Sequence, residues 1–368
     1  MTKPKDKQYM ASVSAYVSSK IQALSFILIL IVVAVHSSNT TFNIGTTTTR
    51  LTGVFNVFFQ KMISQGISRI SVPFLFIISG YLFFITITTG SVNEFKNKYK
   101  TRFRTLVIPY LFWSLFGLLL FFALQSIPFL KPFFTQSLVR NFSINQWLHT
   151  IFVLPIPAQL WYVRDLIVLV IISPILHYLL KKVPYITLAC FLILWVLNYR
   201  LAPFSPDSLF FFLTGSFLGI RKTPLDSLPK VKYAYLLLLL WFILLGIKTY
   251  LSVFHIPAVW GKFLLNKFCI LLGIIAVWYC YDDVYKNTDI CHKKYYPLFK
   301  YSFWLYAAHQ PLIHMIKKAL YHFMGVSNLN SFIIYLLAII ITVVISLTTG
   351  ILIRKYFPKL YFISTGGR

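Results

Sequence analysis

The sequence predicts an all-α protein of the membrane, a polytopic integral helix bundle of about ten transmembrane helices with its N- and C-termini in the cytoplasm. Three observations predict it. Of 368 residues, 58% are hydrophobic and only 12% are charged, about half the charged share of a soluble domain. The apolar residues come in long runs rather than one-sided stripes. A run of about 20 is enough to cross the hydrocarbon layer, where an isolated segment must be helical to satisfy its own backbone. Finally, the bases sit between the runs and recur on alternate connections, as the positive-inside bias requires.

The spans fall, in order, at Ile21–Ser38, Ile67–Thr88, Leu106–Ser126, Leu160–Leu180, Tyr185–Leu201, Ser208–Ile220, Tyr233–Val253, Phe263–Tyr281, Tyr301–Met324 and Ser331–Ile353. The fifth and sixth are short, and the sixth, SLFFFLTGSFLGI, has the weakest signal. With the N-terminus inside, the inner segments carry 23 of the 35 Lys and Arg residues. Among them are Lys20, the run Lys96 to Arg104, Lys181, Arg221, Lys300 and Arg354. Every inner connection shares the bias, so removing one span would invert all later loops. The chain therefore reads as a single membrane-embedded domain over residues 1–368. Residues 1–20 form a cytoplasmic tail, and two long outer loops run over Asn39–Gly66 and Ile127–Gln159. Long outer loops suit a substrate lid or access rim.

A formal charge of +27 would suggest nucleic acid in a soluble chain. Interleaved with apolar spans, these bases instead fit anionic headgroups, so membrane lipids are expected as partners and nucleic acid is not. The first apolar stretch lacks a small-residue cleavage site and reads as a retained helix. Cys190, Cys269, Cys280 and Cys291 form no CxxC pair and no metal-ligand spacing, so no metal site is expected. The localisation that follows is a cell membrane, crossed many times.

Ionisable groups inside spans are costly and mark function by default. His36 closes the first span, and imidazole is the usual general base near neutral pH. Arg164 and Asp165 open the fourth span. As neighbours about 100° apart on a helix, they are expected to find partners on other helices rather than each other. Asp165 is the only acid in the apolar body of the chain. His309 lies too deep in the ninth span to be interfacial, and His314 falls on a different face. The inner stretch KNKYKTRFR carries Lys98, Lys100, Arg102 and Arg104. It suits either lipid headgroups or the phosphates of a cofactor. Arg69 precedes VPFLFIISGYLFF, in which Pro73 can kink the helix and Ser79-Gly80 permits close approach of a helix or ligand.

Taken in order, these pieces resemble the membrane acyltransferase type 3 family, which includes sugar O-acetyltransferases of bacterial envelopes. The pieces are the span ending in His36, RISVPFLFIISGYLFF, RTLVIPYLFW, LWYVRDLIVLVIISPIL, FFLTGSFLG and YSFWLYAAH. The resemblance implies catalysis by His36 and a location in the bacterial inner membrane. It further implies acetyl-CoA, or another acyl-CoA, as co-substrate without a resident cofactor, and a carbohydrate acceptor. Two positions depart from the family pattern. The basic residue eleven positions before the histidine is Ser25 here, and the second of two arginines three apart falls on Thr105 after Arg102.

On this reading the basic stretch Lys98, Lys100, Arg102 and Arg104 holds the donor, and His36 takes the acceptor's proton. His309 or Arg164 stabilises the oxyanion, and Asp165 orients a base or holds sugar hydroxyls. Trp161 and Tyr162 stack on a sugar, while Arg69 and Ser79 complete the substrate site. One tension is built in, because the basic stretch is inside and His36 outside, about 30 Å apart. A pantetheine arm threaded into the bundle would close the gap. Two other readings fit the same residues. One is a transporter or flippase for a lipid-linked sugar, and the other is a catalytically silent glycan-binding relative.

Overall fold

The computed structural model describes residues 13–44, 47–128, 138–226, 228–229, 231–285 and 293–367. Cys291, and Lys3, Lys5, Lys7, Lys230, Lys286 and Arg368 among the inner bases, lie outside the described residues.

Helix α1 (Ala15–Ser37) starts where the Ser14 side chain accepts the Val17 N–H. A short antiparallel hairpin, β1 (Thr41–Ile44) and β2 (Thr47–Arg50), leads to α2 (Val54–Phe84). Helix α3 (Val92–Ser126) opens on a capping box between Ser91 and Glu94. Both α2 and α3 contain a π-helical turn, Met62–Gly66 and Phe103–Val107, a few residues before Pro73 and Pro109. A proline inside a helix lacks the N–H its i−4 carbonyl expects; for Pro109 that carbonyl, of Thr105, lies in the widened turn, whereas for Pro73 it belongs to Arg69 in the 3₁₀ stretch Ile67–Ile70 that follows the π turn. Beyond α4 (Ile144–Phe152), α5 (Ala158–Ile171) and α6 (Ser173–Lys182) meet at a 63° bend, next to Pro174. Two short apolar helices follow, α7 (Pro184–Val196) and α8 (Pro206–Ile220). The chain ends with α9 (Ala234–Val253), α10 (Val259–Tyr285), α11 (Ser302–Met324), α12 (Asn328–Tyr356) and α13 (Pro358–Thr365).

Every apolar segment expected to span is helical. Among the described residues six helices (α1, α2, α3, α9, α10 and α12) are long and apolar enough to cross a membrane, or seven if α5–α6 is one bent span. The protein is thus a multi-pass helical membrane protein. One expectation is corrected. Asn39–Gly66 is not a loop throughout, because Val54–Gly66 belongs to α2 and only Ser38–Gly53 connects. The polar residues that read as loop, Asn56, Gln60 and Ser64, are buried inside the bundle.

Close approach of α8 to α2 organises the core. A Cβ added at Gly80 would collide with the Phe212 carbonyl, and one at Gly215 with the Ile77 carbonyl. Gly215 and Gly219 form a GxxxG step that lets the two backbones touch. Gly215→Val is therefore expected to separate the helices and cost at least about 1–3 kcal/mol, the usual range for overpacking. A thermal-unfolding midpoint in detergent equal to that of wild type would refute this packing.

Candidate active site

At the far end of α1, several titratable side chains converge inside the bundle. His36 is half-buried, and its Nδ1 receives the Gln310 amide N–H at 2.5 Å. Its ring centroid lies 5.2 Å from that of His309, which is 0% exposed. Gln310 also reaches His314 Nε2 at 3.5 Å. Lys317 Nζ donates to the His36 carbonyl at 2.7 Å and the Ser38 carbonyl at 3.2 Å. A cation here satisfies carbonyls left open by the helix end and opposes its partial negative charge.

The constellation depends on a break in α11. Gln310 has φ −113° and ψ 138°, the extended backbone favoured before a proline, and Pro311 follows. Within the preceding turn, His309 Nδ1 lies 2.7 Å from the Tyr306 carbonyl. A carbonyl only accepts, so Nδ1 carries the hydrogen and Nε2 keeps its lone pair. That Nε2 is buried with no hydrogen-bond partner among the described residues, so His309 presents an inward-facing proton acceptor.

A buried amide network pins the His36 end of α1. Gln60 Nε2 donates to Asn39 Oδ1 (2.7 Å) and Asn56 Oδ1 (2.8 Å). Ser331 Oγ donates to Asn39 Oδ1 at 2.7 Å, and Ser37 Oγ to the Tyr335 carbonyl at 2.7 Å. These bonds tie α1 to α2 and α12 and fix where His36 stands.

A cavity of about 460 Å³ runs beside α1, lined by Gln22, Ser25 and Ile29 of that helix. Arg102 and Lys300 contribute at its basic end, and Ser79, Tyr162 and Tyr306 line it further along. Ser79 Oγ and Tyr162 OH are 3.0 Å apart, and the Tyr162 and Tyr306 rings stack edge-on at 5.9 Å. Tyr306 is the residue whose carbonyl holds His309. On α1 the lining reaches Ile29, seven residues before His36, or about 10 Å of helix. The internal space thus extends from Arg102 toward the imidazole pair.

Not every expected site residue joins this assembly. Of the basic stretch, Arg102 lines the cavity, and Lys98 is buried with Nζ 5.3 Å from the centre of the Phe83 ring. Lys100 and Arg104 are exposed. Trp161 packs on Phe76 at 6.4 Å, outside the cavity lining. Arg69 is exposed on α2 and does not line it either.

Arg164 and Asp165 correct the expectation that neighbours would not pair. Arg164 Nη2 lies 2.9 Å from Asp165 Oδ1, because the long guanidinium arm curls back across the angle between the two positions. Asp165, 1% exposed, also accepts the Ser205 N–H at 2.9 Å, while Arg164 donates to the Val153 carbonyl at 2.9 Å. The pair ties the start of α5 to the turn before α8 and contacts neither histidine.

Sequence reasoning missed Gln310, Lys317, Lys300 and Tyr306. His314 was placed on the wrong face, because a straight helix was assumed through Gln310-Pro311. The available signal was that dipeptide itself: a proline in an apolar span, followed by Lys317 where a cation needs a partner.

Fold and site together define a multi-pass membrane protein with titratable side chains gathered about two helical turns beyond the lining of an internal cavity. The chain belongs to the type 3 membrane acyltransferase family, whose acyltransferase domain matches residues 19–351. It is 27% identical over 320 residues to the succinoglycan biosynthesis protein ExoH of Rhizobium meliloti (strain 1021), covering 84% of this chain and 82% of that protein. No solved structure matches it. Among the described residues no group of three or more His, Cys, Asp or Glu side chains could hold a metal ion.

Proposed function

We propose that this acyltransferase moves an acyl group, acetyl in the simplest case, from cytoplasmic acyl-CoA to a hydroxyl of a surface polysaccharide or its lipid-linked precursor, in the bacterial inner membrane. Ten spans with both termini inside would put Arg102 and Lys300 at the cytoplasmic face and His36 toward the outer one. The carrying observation is the cavity lined by Arg102, Lys300 and Tyr306, which on α11 ends one helical turn before His309 and on α1 two turns before His36. It gives a thioester arm a route through most of the distance that otherwise separates donor from base. The similarity to a succinoglycan biosynthesis protein supports a polysaccharide acceptor.

In the reaction His36 Nδ1 gives up its hydrogen bond from Gln310 and accepts the proton of the acceptor hydroxyl as that oxygen attacks the thioester carbonyl. The carbon–sulfur bond breaks, and the protonated imidazole returns the proton to the departing CoA thiolate. His309 Nε2, buried and without a hydrogen-bond partner among the described residues, holds that same proton in relay between its capture by His36 and its return through His36 to the thiolate, rather than donating to the oxyanion. The Ser79 and Tyr162 hydroxyls supply the neutral donors that an oxyanion needs. Arg102 holds donor phosphates at the mouth as a guanidinium fork.

The test is transfer of labelled acetyl from acetyl-CoA to polysaccharide by purified protein in nanodiscs, with the product mass raised by one acyl group. Arg102→Gln is expected to raise KM for the donor about tenfold with kcat nearly unchanged, the sign of lost uniform binding. Movement of unmodified sugar without acyl transfer would reject the reading in favour of a transporter.

A further inference from the structure

A second set of charges lies outside the cavity. On α2, the π turn Met62–Gly66 passes into a 3₁₀ stretch, Ile67–Ile70, which carries Arg69. Lys248 of α9 reaches across to it, donating Nζ to the Gln65 carbonyl at 2.5 Å and to Asn266 Oδ1 of α10 at 2.6 Å. The next residue of α10 is Lys267, which is buried with Nζ over the Trp195 ring at 4.4 Å. Arg69 lies within electrostatic reach of both lysines.

None of the three forms an ion pair among the described residues. Arg69 has no hydrogen-bond partner among them either, which leaves five guanidinium donors unengaged in a span of nominally apolar character. Lys248 uses two of its three donors on neutral oxygens. Asp207 is the acid near Lys267, and it already accepts the Trp195 indole N–H at 2.7 Å. Cations within apolar spans are expensive and persist where they meet an anion or a polar path. The flank is open to lipid, since Arg69 and Gln65 are exposed and α9 and α10 expose Ile243, Ile247, Leu264 and Phe268.

We propose that Arg69 and Lys248 form a lateral site for the diphosphate headgroup of an isoprenoid-type lipid that carries the acceptor saccharide, with Lys267 buried behind it on Trp195. Arg69 and Lys248 form no ion pair among the described residues, so their two positive charges match the two negative charges of a diphosphate diester, while Lys267 has Asp207 near it. A glycerophospholipid with a single phosphate would leave the pair half-satisfied. Guanidinium and ammonium together suit that ligand, the first as a planar fork and the second as a point charge. An isoprenoid tail would lie along the exposed apolar residues of α9 and α10, so the acceptor would arrive from the membrane while the donor arrives through the cavity. The site deepens the proposed function and rests on it only for the saccharide.

Binding is tested without turnover. Thermal unfolding of the full chain in zwitterionic detergent is followed with geranylgeranyl diphosphate, geranylgeraniol, phosphatidylglycerol and inorganic diphosphate. Geranylgeranyl diphosphate is expected to raise the midpoint in wild type, with apparent affinity at least about tenfold weaker in Arg69→Gln and Lys248→Met and partly restored in Arg69→Lys. Geranylgeraniol should give no shift, and the other two ligands should bind at least about tenfold more weakly. Equal affinity in wild type and Lys248→Met overturns the site even if Arg69→Gln fails to fold. Equal affinity for phosphatidylglycerol or for inorganic diphosphate overturns its assignment to a lipid diphosphate. Binding without acyl transfer keeps the site and removes the transferase reading, whereas transfer with no lipid diphosphate binding does the reverse.

Discussion

His36→Ala is expected to lower kcat for acyl transfer by about 10²–10⁴-fold, the usual contribution of a positioned general base. KM for the donor should change little, because Arg102 and Lys300 line the cavity and His36 does not. Folding should survive, since His36 is only half-buried and the end of α1 is held separately by Lys317 and the Asn39–Gln60–Ser331 network. His36→Gln is the control for shape, as it keeps a polar group beside Gln310 while abolishing proton transfer near neutral pH. Initial rates and unfolding midpoints of both variants in nanodiscs decide the matter. A purified His36→Ala protein retaining wild-type kcat within about threefold would remove His36 from the chemistry, because losing a base should cost far more.

The pairing of His36 with His309 shows what the sequence could and could not disclose. Both residues stand out because imidazole is costly in an apolar span, and that cost is local. Their proximity at 5.2 Å is a property of two helices separated by more than 250 residues, which no spacing rule contains. The same division holds elsewhere. Ser79-Gly80 forecast a close helix approach, and α8 supplies it through Gly215. The sixth segment was expected as a short span, but its pairing with α2 was unforeseen, because hydropathy does not say which helices touch. Helix α2 begins earlier than expected for a related reason: Asn56 and Gln60 look like loop residues until Asn39 and Ser331 are seen to satisfy them, and Ser64 donates back to the Gln60 carbonyl. A buried polar network is invisible to hydropathy, which charges each polar residue for a desolvation that its partners offset. His314 belongs here as well, since a break at Gln310 resets the angular register on which facing arguments rest.

Asp165→Asn is expected to destabilise the fold by about 3–5 kcal/mol, the range for breaking a buried ion pair from one side. Arg164 would be left charged and without its acid beside the Val153 carbonyl, and the amide would offer the Ser205 N–H a weaker acceptor. The turn that launches α8 would loosen, and with it the α2–α8 contact on which Ser79 is carried. Activity per folded molecule should stay within a few-fold of wild type, because neither histidine contacts the pair. A double variant, Arg164→Met with Asp165→Leu, separates the two roles. Removing both charges eliminates the stranded cation, so much of the lost stability should return. Unfolding midpoints of the two single variants and the double variant supply the cycle, and kcat on the same preparations supplies the second axis. An Asp165→Asn protein as stable as wild type but inactive would move Asp165 into the chemistry. Failure of the double variant to recover beyond either single one would show that the Ser205 hydrogen bond, rather than the ion pair, dominates the stabilisation.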